Sequence, residues 1–162
     1  MTEGLPAGYQ LRLGTGLDRA LLVKFLQRTY AERFPTGTFS HLAGTVDQYF
    51  SAETPVWWVE RAETSTGLPS SRATPLACLW LGNAIDQTTG ERHAHIFLLY
   101  VTPEHRRRGL GTALVRYAEE WAKKRGDRQI GLQVFASNTP ALTLYRSLDY
   151  QTQSLWMVKT LD

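Results

Sequence analysis

The segment from His95 to Gly126 constrains the fold of this chain more than any other part of the sequence. It begins with a nearly uninterrupted apolar run, His95 to Val101, which is typical of a central strand covered on both faces. A turn containing Pro103 follows, and apolar residues then recur at the spacing of one helical face: Leu110, Ala113, Leu114, Tyr117, Ala118 and Trp121. The sequence therefore predicts the best-buried strand of the chain, leading into an amphipathic helix that ends near Gly126.

Shorter elements are predicted on both sides of this unit. Strands are indicated at Tyr9 to Leu13, Val56 to Glu60, Leu76 to Leu81, Ile130 to Phe135 and Gln153 to Lys159. Helices are indicated at Leu17 to Tyr30, about Thr45 to Phe50 and Ala141 to Leu148. The second and third of these strands are expected to pair as a hairpin, connected by a loop at residues 64–75.

Length and composition fit one globular domain. The chain has 162 residues, of which 43% are hydrophobic and 20% are charged. A chain of this size and composition can bury a continuous apolar core without disulfides or a structural metal. We therefore predict that residues 1–162 form a single domain.

Charge and cysteine usage narrow the range of partners and compartments. The 18 Lys and Arg residues against 15 Asp and Glu give a net charge of only +3, which does not indicate a nucleic-acid partner. The lone cysteine, Cys78, forms no internal disulfide, so a reducing compartment, the cytoplasm, is expected. No apolar run is long enough to span a bilayer, and no membrane association is expected. A monomer and a homodimer both fit the sequence.

The start of the predicted long helix combines three arginines, Arg106, Arg107 and Arg108, with two glycines, Gly109 and Gly111. Cations are disfavoured at this end of a helix by its dipole. The first amide N–H groups of a helix lack internal partners, and glycine lets a ligand approach the backbone closely. A bound diphosphate would satisfy the amides and pair with the arginines. The alternative is a basic helix start that only faces water.

The spacing Arg106-x-x-Gly109-x-Gly111 resembles the acetyl-CoA signature R/Q-x-x-G-x-G/A of the GNAT superfamily of N-acyltransferases. The nucleotide fingerprints G-x-G-x-x-G and G-x-x-x-x-G-K-S/T are both missing. A later segment resembles the family motif N-x-x-A-x-x-L-Y-x-x-x-G-F/Y and supplies Asn138, Ala141, Leu144 and Tyr145. One departure is Asp149, where the family usually has Gly, although Asp tolerates turn geometry better than most residues.

The resemblance implies a fold, a reaction and a cosubstrate. The implied fold is α/β of the mixed α+β kind, with a mostly antiparallel central sheet of about six or seven strands. Helices would cover both faces, and the sheet would be splayed between its fourth and fifth strands. The implied reaction is direct transfer of an acetyl group from acetyl-CoA to an amine acceptor.

The resemblance also implies a set of cofactor-binding residues: Leu99, Tyr100, Val101, Arg106, Arg107, Arg108, Gly109, Leu110, Gly111, Thr112, Asn138 and Tyr145. The backbone of Leu99 to Val101 would pair with the pantetheine arm, and the Val101 amide would point at the thioester carbonyl. Backbone amides of Arg107 to Thr112 would hold the pyrophosphate. Asn138 would orient the pantetheine arm or a water, or would simply cap a helix.

Acid and base candidates differ in how well the sequence supports them. Tyr145 is expected to be the general acid, because a tyrosine of pKa ~10 stays protonated and can donate to a thiolate of pKa ~8.5. Neither His95 to Val101 nor Ile130 to Phe135 contains a carboxylate that could act as base. His93, His95 or a chain of waters could serve instead, and His95 is our candidate. The pair His93 and His95 lacks a third ligand nearby, so no metal is expected.

Acceptor binding is expected from the segment Tyr30 to Phe50 and from aromatic residues, which are equally explained as core: Trp57, Trp58, Trp80 and Trp156. For most of these tryptophans we favour the core. Two other functions stay open at this point. One is a non-catalytic acyl-CoA-binding or sensor module, suggested by the missing carboxylate. The other is a nucleic-acid binder using Arg106 to Arg108, which the apolar face of the helix disfavours.

Overall fold

The computed structural model describes residues 4–62 and 74–162. Its strands are β1 Tyr9–Leu13, β2 Val56–Arg61, β3 Ala77–Ile85, β4 Arg92–Val101 and β5 Ile130–Leu132. Its α-helices are α1 Arg19–Arg33, α2 Leu42–Tyr49, α3 Leu110–Arg125 and α4 Thr139–Ser147, with single 3-10 turns at Gly16–Asp18 and Pro103–His105. Most of the loop expected at residues 64–75 lies outside the described residues.

The strands form one mixed sheet in the order β1-β2-β3-β4-β5. Strands β1 to β4 are antiparallel to their neighbours, and β5 is parallel to β4. The predicted hairpin is confirmed, because β2 and β3 pair with Trp57 opposite Leu79. Helices α1 and α2 pack on one face and α3 on the other, so the prediction of a mixed fold with helices on both faces is confirmed.

The prediction of six or seven strands is wrong for the described residues, which form five. Residues 153–159 form no strand, and the whole of 151–162 is exposed outside any helix or strand. Strand β5 also ends at Leu132 rather than Phe135, because the chain then turns to α1, where the Phe135 ring lies 5.4 Å from that of Phe34.

The core consists of two clusters separated by the sheet. Buried residues on the α1 and α2 side include Leu22, Phe25, Trp58 and Trp80, and those on the α3 side include Trp57, Leu79, Leu110 and Leu114. Burying each large apolar side chain stabilises the fold by roughly 1.5–3 kcal/mol. The core assignment of Trp57, Trp58 and Trp80 is confirmed, whereas Trp156 is 84% exposed.

Strand β4 contains a bulge that changes which side chains face each helix layer. Trp80 pairs with Leu98 and Leu81 with Ile96, so Phe97 is the extra residue. The Phe97 ring covers Gly82, where an added Cβ would lie only 2.1 Å from it. Buried and half-buried residues alternate along β4, while β2 and β3 have longer buried runs. The prediction that β4 is the best-buried strand is therefore wrong.

Helix α3 begins and ends at the predicted glycines. Its buried residues lie on one stripe: Leu110, Leu114, Val115, Ala118 and Ala122. Gly126 adopts φ 90° at the C-terminus, where the Asp127 N–H donates to the Ala122 carbonyl at 3.0 Å. Basic residues in the last turn stabilise the helix, because their positive charges lie near the negative end of its dipole. Both the start and the end of this helix are thus set by local chemistry.

The end of helix α4 explains why Asp149 can replace the glycine that the family motif usually has at this position. This residue has φ 69°, in the left-handed region, and the next residue, Tyr150, donates its N–H to the Tyr145 carbonyl at 3.0 Å. Asp is one of the few residues other than Gly that adopt this conformation, so the helix ends as in the family motif.

Candidate active site

The outer edge of β4 is open where β4 and β5 diverge. The two strands pair only through Ala94 to Ile96 opposite Ile130 to Leu132. The Thr102 N–H donates to the Leu76 carbonyl at 2.9 Å. Because bonded and non-bonded pairs alternate in an antiparallel ladder, the main-chain groups of Leu99 and Val101 point away from β3. They therefore line the space between the diverging strands.

The turn between β4 and α3 presents main-chain donors to the same region. Arg107 and Gly109 have φ 60° and 86°, both in the left-handed region. Helix α3 has no side-chain cap at its start, and its first helical bond runs from the Ala113 N–H to the Gly109 carbonyl at 3.1 Å. The N–H groups from Leu110 to Thr112 therefore have no intrahelical acceptor. Amides arranged in this way form an anion-binding concavity.

The three arginines of the turn have different environments. The Arg106 guanidinium lies 2.7 Å from a Glu32 carboxylate oxygen, and its Nε donates to the Val101 carbonyl at 2.8 Å. The Arg108 side chain contacts the Tyr9 hydroxyl at 3.4 Å. Arg107 is exposed. Of the three predicted anion contacts, the Arg106 side chain is thus engaged by Glu32 and Val101, that of Arg108 contacts Tyr9, and that of Arg107 is exposed.

Glu32 is a site residue that the sequence analysis missed. It lies on α1, accepts a hydrogen bond from the Tyr100 hydroxyl and pairs with Arg106. Partial burial raises the pKa of Glu32, but hydrogen bonds from Tyr100 and Arg106 lower it more, so its pKa is below the usual value. Burial and then the Glu32 carboxylate raise the pKa of Tyr100. These partners are 68 and 74 residues away in sequence, and no local pattern indicates the contact.

Tyr145 is a buried residue of α4. Its helix, α4, meets α3 through Leu144, whose Cδ2 would lie 3.2 Å from a Cβ added at Gly111. The Tyr145 ring packs edge to face against Tyr150 at 5.7 Å. Burial raises the pKa of Tyr145 to about 12. Its hydroxyl therefore stays protonated throughout the neutral range, which is what a proton donor requires.

Asn138 occupies the capping position that the sequence left open. Its side-chain oxygen accepts a hydrogen bond from the Ala141 N–H at 3.4 Å, at the start of α4. A contact with the pantetheine arm stays a prediction.

The two histidines of β4 share one face of the sheet. Their ring centroids lie 6.4 Å apart, and His93 Nδ1 contacts the Ala94 carbonyl oxygen at 2.8 Å. His95 Nδ1 is buried and has no hydrogen-bond partner among the residues that the structure describes. Burial, and then the charge of His93, lower the pKa of His95. The His95 imidazole is therefore neutral near pH 7, with an unused nitrogen that can accept a proton.

The end of α1 reaches the chain that follows β5. The Phe135 ring lies 5.4 Å from Phe34 and 6.4 Å from Tyr30, and Arg33 donates to the Ser137 hydroxyl at 2.9 Å. These contacts join the end of α1 to the segment that follows β5, near the place where β4 and β5 diverge. The segment from Tyr30 to Phe50 therefore begins beside the open edge of β4, as the expectation for acceptor binding requires.

Two further features of the described part of the chain bear on its chemistry. No group of three or more His, Cys, Asp or Glu residues there is arranged to hold a metal ion. None of the helices described is both long and apolar enough to cross a bilayer.

Two acetyltransferases of known sequence are similar to this chain. Mycothiol acetyltransferase of Clavibacter sepedonicus is 31% identical over 165 residues, which cover 87% of this chain and 54% of that protein. The [ribosomal protein bS18]-alanine N-acetyltransferase of Escherichia coli K12 is 37% identical over 62 residues, which cover 38% of this chain and 42% of that protein. The chain thus spans about half or less of these curated relatives.

Solved structures share the fold over nearly the whole chain. A protein of Clostridium acetobutylicum, described as a predicted acetyltransferase with acetyl-CoA, has a TM-score of 0.72 at 16% identity and covers 94% of this chain and 96% of its own. AAC(6')-Iy, solved with the bisubstrate analogue CoA-S-monomethyl-acetylneamine, has a TM-score of 0.67 at 10% identity, and the match covers 96% of this chain and 99% of its own. At these identities the likeness concerns the fold.

A family model agrees with the motifs and the fold. The model of the acetyltransferase (GNAT) family matches residues 21–150, from α1 through the end of α4. The match includes the open edge of β4, the glycine turn and Tyr145. This chain therefore belongs to the GNAT family of acetyltransferases.

Proposed function

We propose that residues 1–162 act as one N-acetyltransferase domain that transfers an acetyl group from acetyl-CoA directly to a primary amine. The observation that carries the proposal is the turn before α3. There, uncapped helix amides, two left-handed residues and two exposed arginines lie together at the end of the open β4 edge. Few ligands other than a diphosphate joined to an extended arm match both the turn and the edge.

The residues at this site divide the binding task by chemistry. Amides from Arg107 to Thr112 would bind the diphosphate, with Arg107 and Arg108 at the rim. The main-chain groups of Leu99 would bind the amide-bearing arm, whereas the Val101 carbonyl already accepts a hydrogen bond from Arg106. Bound acetyl-CoA would supply the acyl thioester. The Val101 N–H, directed away from β3, would then donate to the oxygen on which negative charge develops.

We propose that two side chains transfer the protons, the half-buried His95 and the buried Tyr145. His95 would take a proton from the attacking amine, directly or through water, because its unpartnered Nδ1 and lowered pKa keep it a neutral acceptor. Tyr145 would protonate the departing thiolate, since its raised pKa keeps it protonated. Glu32 is less suited to the role of base, because its carboxylate is already bound by Tyr100 and Arg106.

The acceptor is proposed only as a class, a primary amine of a small molecule or a peptide. Similar proteins are named for mycothiol, for the alanine of a ribosomal protein and for aminoglycosides. A panel of amino acids, peptides and amines, assayed with acetyl-CoA by release of the free thiol, would identify the acceptor. Tight binding without turnover of any amine would instead favour the acyl-CoA-binding or sensor module.

Acetyl-CoA is expected to stabilise the chain strongly. At 100 times its Kd, a ligand specific for the folded state adds about 2.7 kcal/mol, or a rise in Tm of roughly 5–10 °C for a chain of this size. Differential scanning fluorimetry measures this shift. Acetylpantetheine at the same concentration is the matched control, and it should give a much smaller rise because it lacks the diphosphate and therefore binds more weakly. Equal shifts from both ligands would contradict the role of the turn.

The pH dependence of turnover is expected to identify His95 as the general base. Because its pKa is lowered, the acidic limb of the kcat/KM profile should lie below the ordinary histidine pKa of ~6.5, and the rate should not depend on this group at pH 7. His95→Gln should remove that limb and lower kcat by about a hundredfold. His93→Gln should keep the limb and move it to higher pH, because the His93 charge no longer opposes protonation of His95. An unchanged limb in His95→Gln would assign the base elsewhere.

A further inference from the structure

The Arg106 side chain lies against the end of strand β4, although its position in the glycine turn suggests a diphosphate ligand. Its Nε donates to the Val101 carbonyl at 2.8 Å, and its Nη2 donates to Glu32 Oε2 at 2.7 Å. The guanidinium also lies over the Tyr100 ring, with Cζ 5.5 Å from the ring centroid. These three contacts join the first residue of the acetyl-CoA signature to the strand that precedes it.

The Val101 carbonyl needs a donor because it lies at the end of β4, beyond the part that pairs with β5. That pairing covers only Ala94 to Ile96 on β4. On the β3 side, the peptide between Val101 and Thr102 is held by the Thr102 N–H, which donates to the Leu76 carbonyl at 2.9 Å. Arg106 holds the opposite side of the same peptide. It therefore supplies the hydrogen bond that a neighbouring strand would otherwise give.

Glu32 holds Arg106 in this position by charge. One Glu32 carboxylate oxygen accepts from the Tyr100 hydroxyl and the other from Arg106, so both oxygens are used. A second guanidinium, that of Arg28, also lies over the Tyr100 ring, at 5.6 Å. Without the Glu32 carboxylate, two positive charges would repel each other beside one ring. Loss of the Glu32 charge is therefore expected to displace Arg106 from the Val101 carbonyl.

We propose that Glu32 is a positioning residue of the transfer reaction, which acts through Arg106 to fix the end of β4 and so keeps the Val101 N–H aimed at the thioester oxygen. The inference rests on the proposed function, because it requires acetyl-CoA in the opening beside β4. In this role Glu32 touches neither the substrate nor the reacting atoms. The Arg106 side chain serves the strand end, and the main-chain amides of the turn serve the diphosphate.

The first test compares turnover and acetyl-CoA affinity in Glu32→Gln and Arg106→Lys. Glu32→Gln keeps the shape of the side chain and removes its charge, whereas the single ammonium of Arg106→Lys cannot reproduce the fork of the guanidinium. Each should lower kcat by about tenfold or more, because a misaligned oxyanion donor acts on the transition state. The Kd of acetyl-CoA should change by less than about threefold.

The double variant shows whether Glu32 acts through Arg106. It should be no slower than the slower single variant, since both substitutions break one series of contacts. Additive losses in kcat would overturn this route. A tenfold weaker affinity in Arg106→Lys, with tighter binding in Glu32→Gln, would overturn it as well, because the Arg106 side chain would then bind the diphosphate in competition with Glu32.

The second test observes the hydrogen bond to the thioester and needs no acceptor amine. Acetyl-CoA labelled with ¹³C at the thioester carbonyl is bound to the full chain, and its carbonyl stretch is measured by infrared difference spectroscopy. Donation by the Val101 N–H should lower this frequency in the unsubstituted chain, and Glu32→Gln and Arg106→Lys should both raise it again. The same frequency in all three proteins would overturn the role of Glu32. A chain that binds no acetyl-CoA would instead contradict the proposed function itself.

Glu104→Gln is the matched control. Glu104 is an exposed carboxylate two residues before Arg106, but it is not the one that pairs with Arg106. The control should keep kcat, Kd and the carbonyl frequency, and an equal loss of kcat there would assign the effect to surface charge. Folding should be preserved in Glu32→Gln, because the Glu32 and Arg106 side chains are 39% and 43% exposed and such pairs contribute little. Its Tm should fall by about 4 °C or less.

Discussion

Replacing Tyr145 by phenylalanine is expected to lower kcat by about a hundredfold or more while changing acetyl-CoA affinity by less than about threefold. The ring packs against Tyr150, and phenylalanine keeps this packing, so the variant should fold. The variant loses only the hydroxyl. Burial raises the pKa of this hydroxyl to about 12, so it is protonated throughout the neutral range. Without that proton donor, the thiolate must leave unprotonated.

The measurement combines steady-state release of the free thiol with calorimetric binding of acetyl-CoA. A general acid acts on the transition state, so kcat and kcat/KM should fall together. An acceptor with a high amine pKa should not rescue the variant, because the missing proton is on the leaving group. Unchanged turnover would remove Tyr145 from the mechanism.

Tyr150→Phe provides the matched control for this variant. Tyr150 is the neighbouring tyrosine, and its hydroxyl is buried without a hydrogen-bond partner among the described residues. Burial, and then the nearby Glu119, raise its pKa. Removing an unsatisfied buried hydroxyl should stabilise the chain slightly or leave its stability unchanged. Turnover should be retained, which would separate loss of the Tyr145 proton from loss of any buried hydroxyl.

The unit from β4 to α3 could be predicted from sequence because its determinants are local. The apolar stripe from Leu110 to Trp121, the glycine at each end and the turn after Val101 all lie within one short stretch. The helix start, the helix end and the positive φ at Gly109 and Gly126 follow from chemistry within a few residues. The same holds for Tyr145. Its position on α4 is set by the N-cap Asn138 and by Asp149, whose left-handed conformation ends the helix.

Features that depend on distant contacts could not be predicted. The role of Glu32 requires α1 to lie over Tyr100 and Arg106, and α1 carries no local signal for that contact. The short β5 results from Phe135 packing on α1, which competes with continuation of the strand. Residues 153–159 show a further limit, because a strand-forming composition does not by itself supply a partner strand.

Replacing Gly109 by valine is expected to weaken acetyl-CoA binding by about tenfold or more, since the turn holds the diphosphate by charge-assisted main-chain hydrogen bonds of roughly 1.5–3 kcal/mol each. Gly109 has φ 86°, a conformation that a β-branched residue adopts only with strain. Relieving that strain would rotate the peptide groups that aim the first amides of α3. Space is not the obstacle, because an added Cβ would meet only Pro6, at 3.8 Å. Isothermal titration calorimetry measures the affinity.

Gly126→Val separates this effect from backbone strain in general. Gly126 ends the same helix with φ 90° and has no atom within 4 Å of an added Cβ, so its local geometry matches that of Gly109. Each substitution should cost about 1–2 kcal/mol of stability, visible as similar falls in Tm. Only Gly109→Val should lose acetyl-CoA, because only the N-terminal end of α3 presents free amides. If the two variants lose affinity equally, helix stability rather than the geometry of the turn controls binding, and the turn before Leu110 is not the diphosphate site.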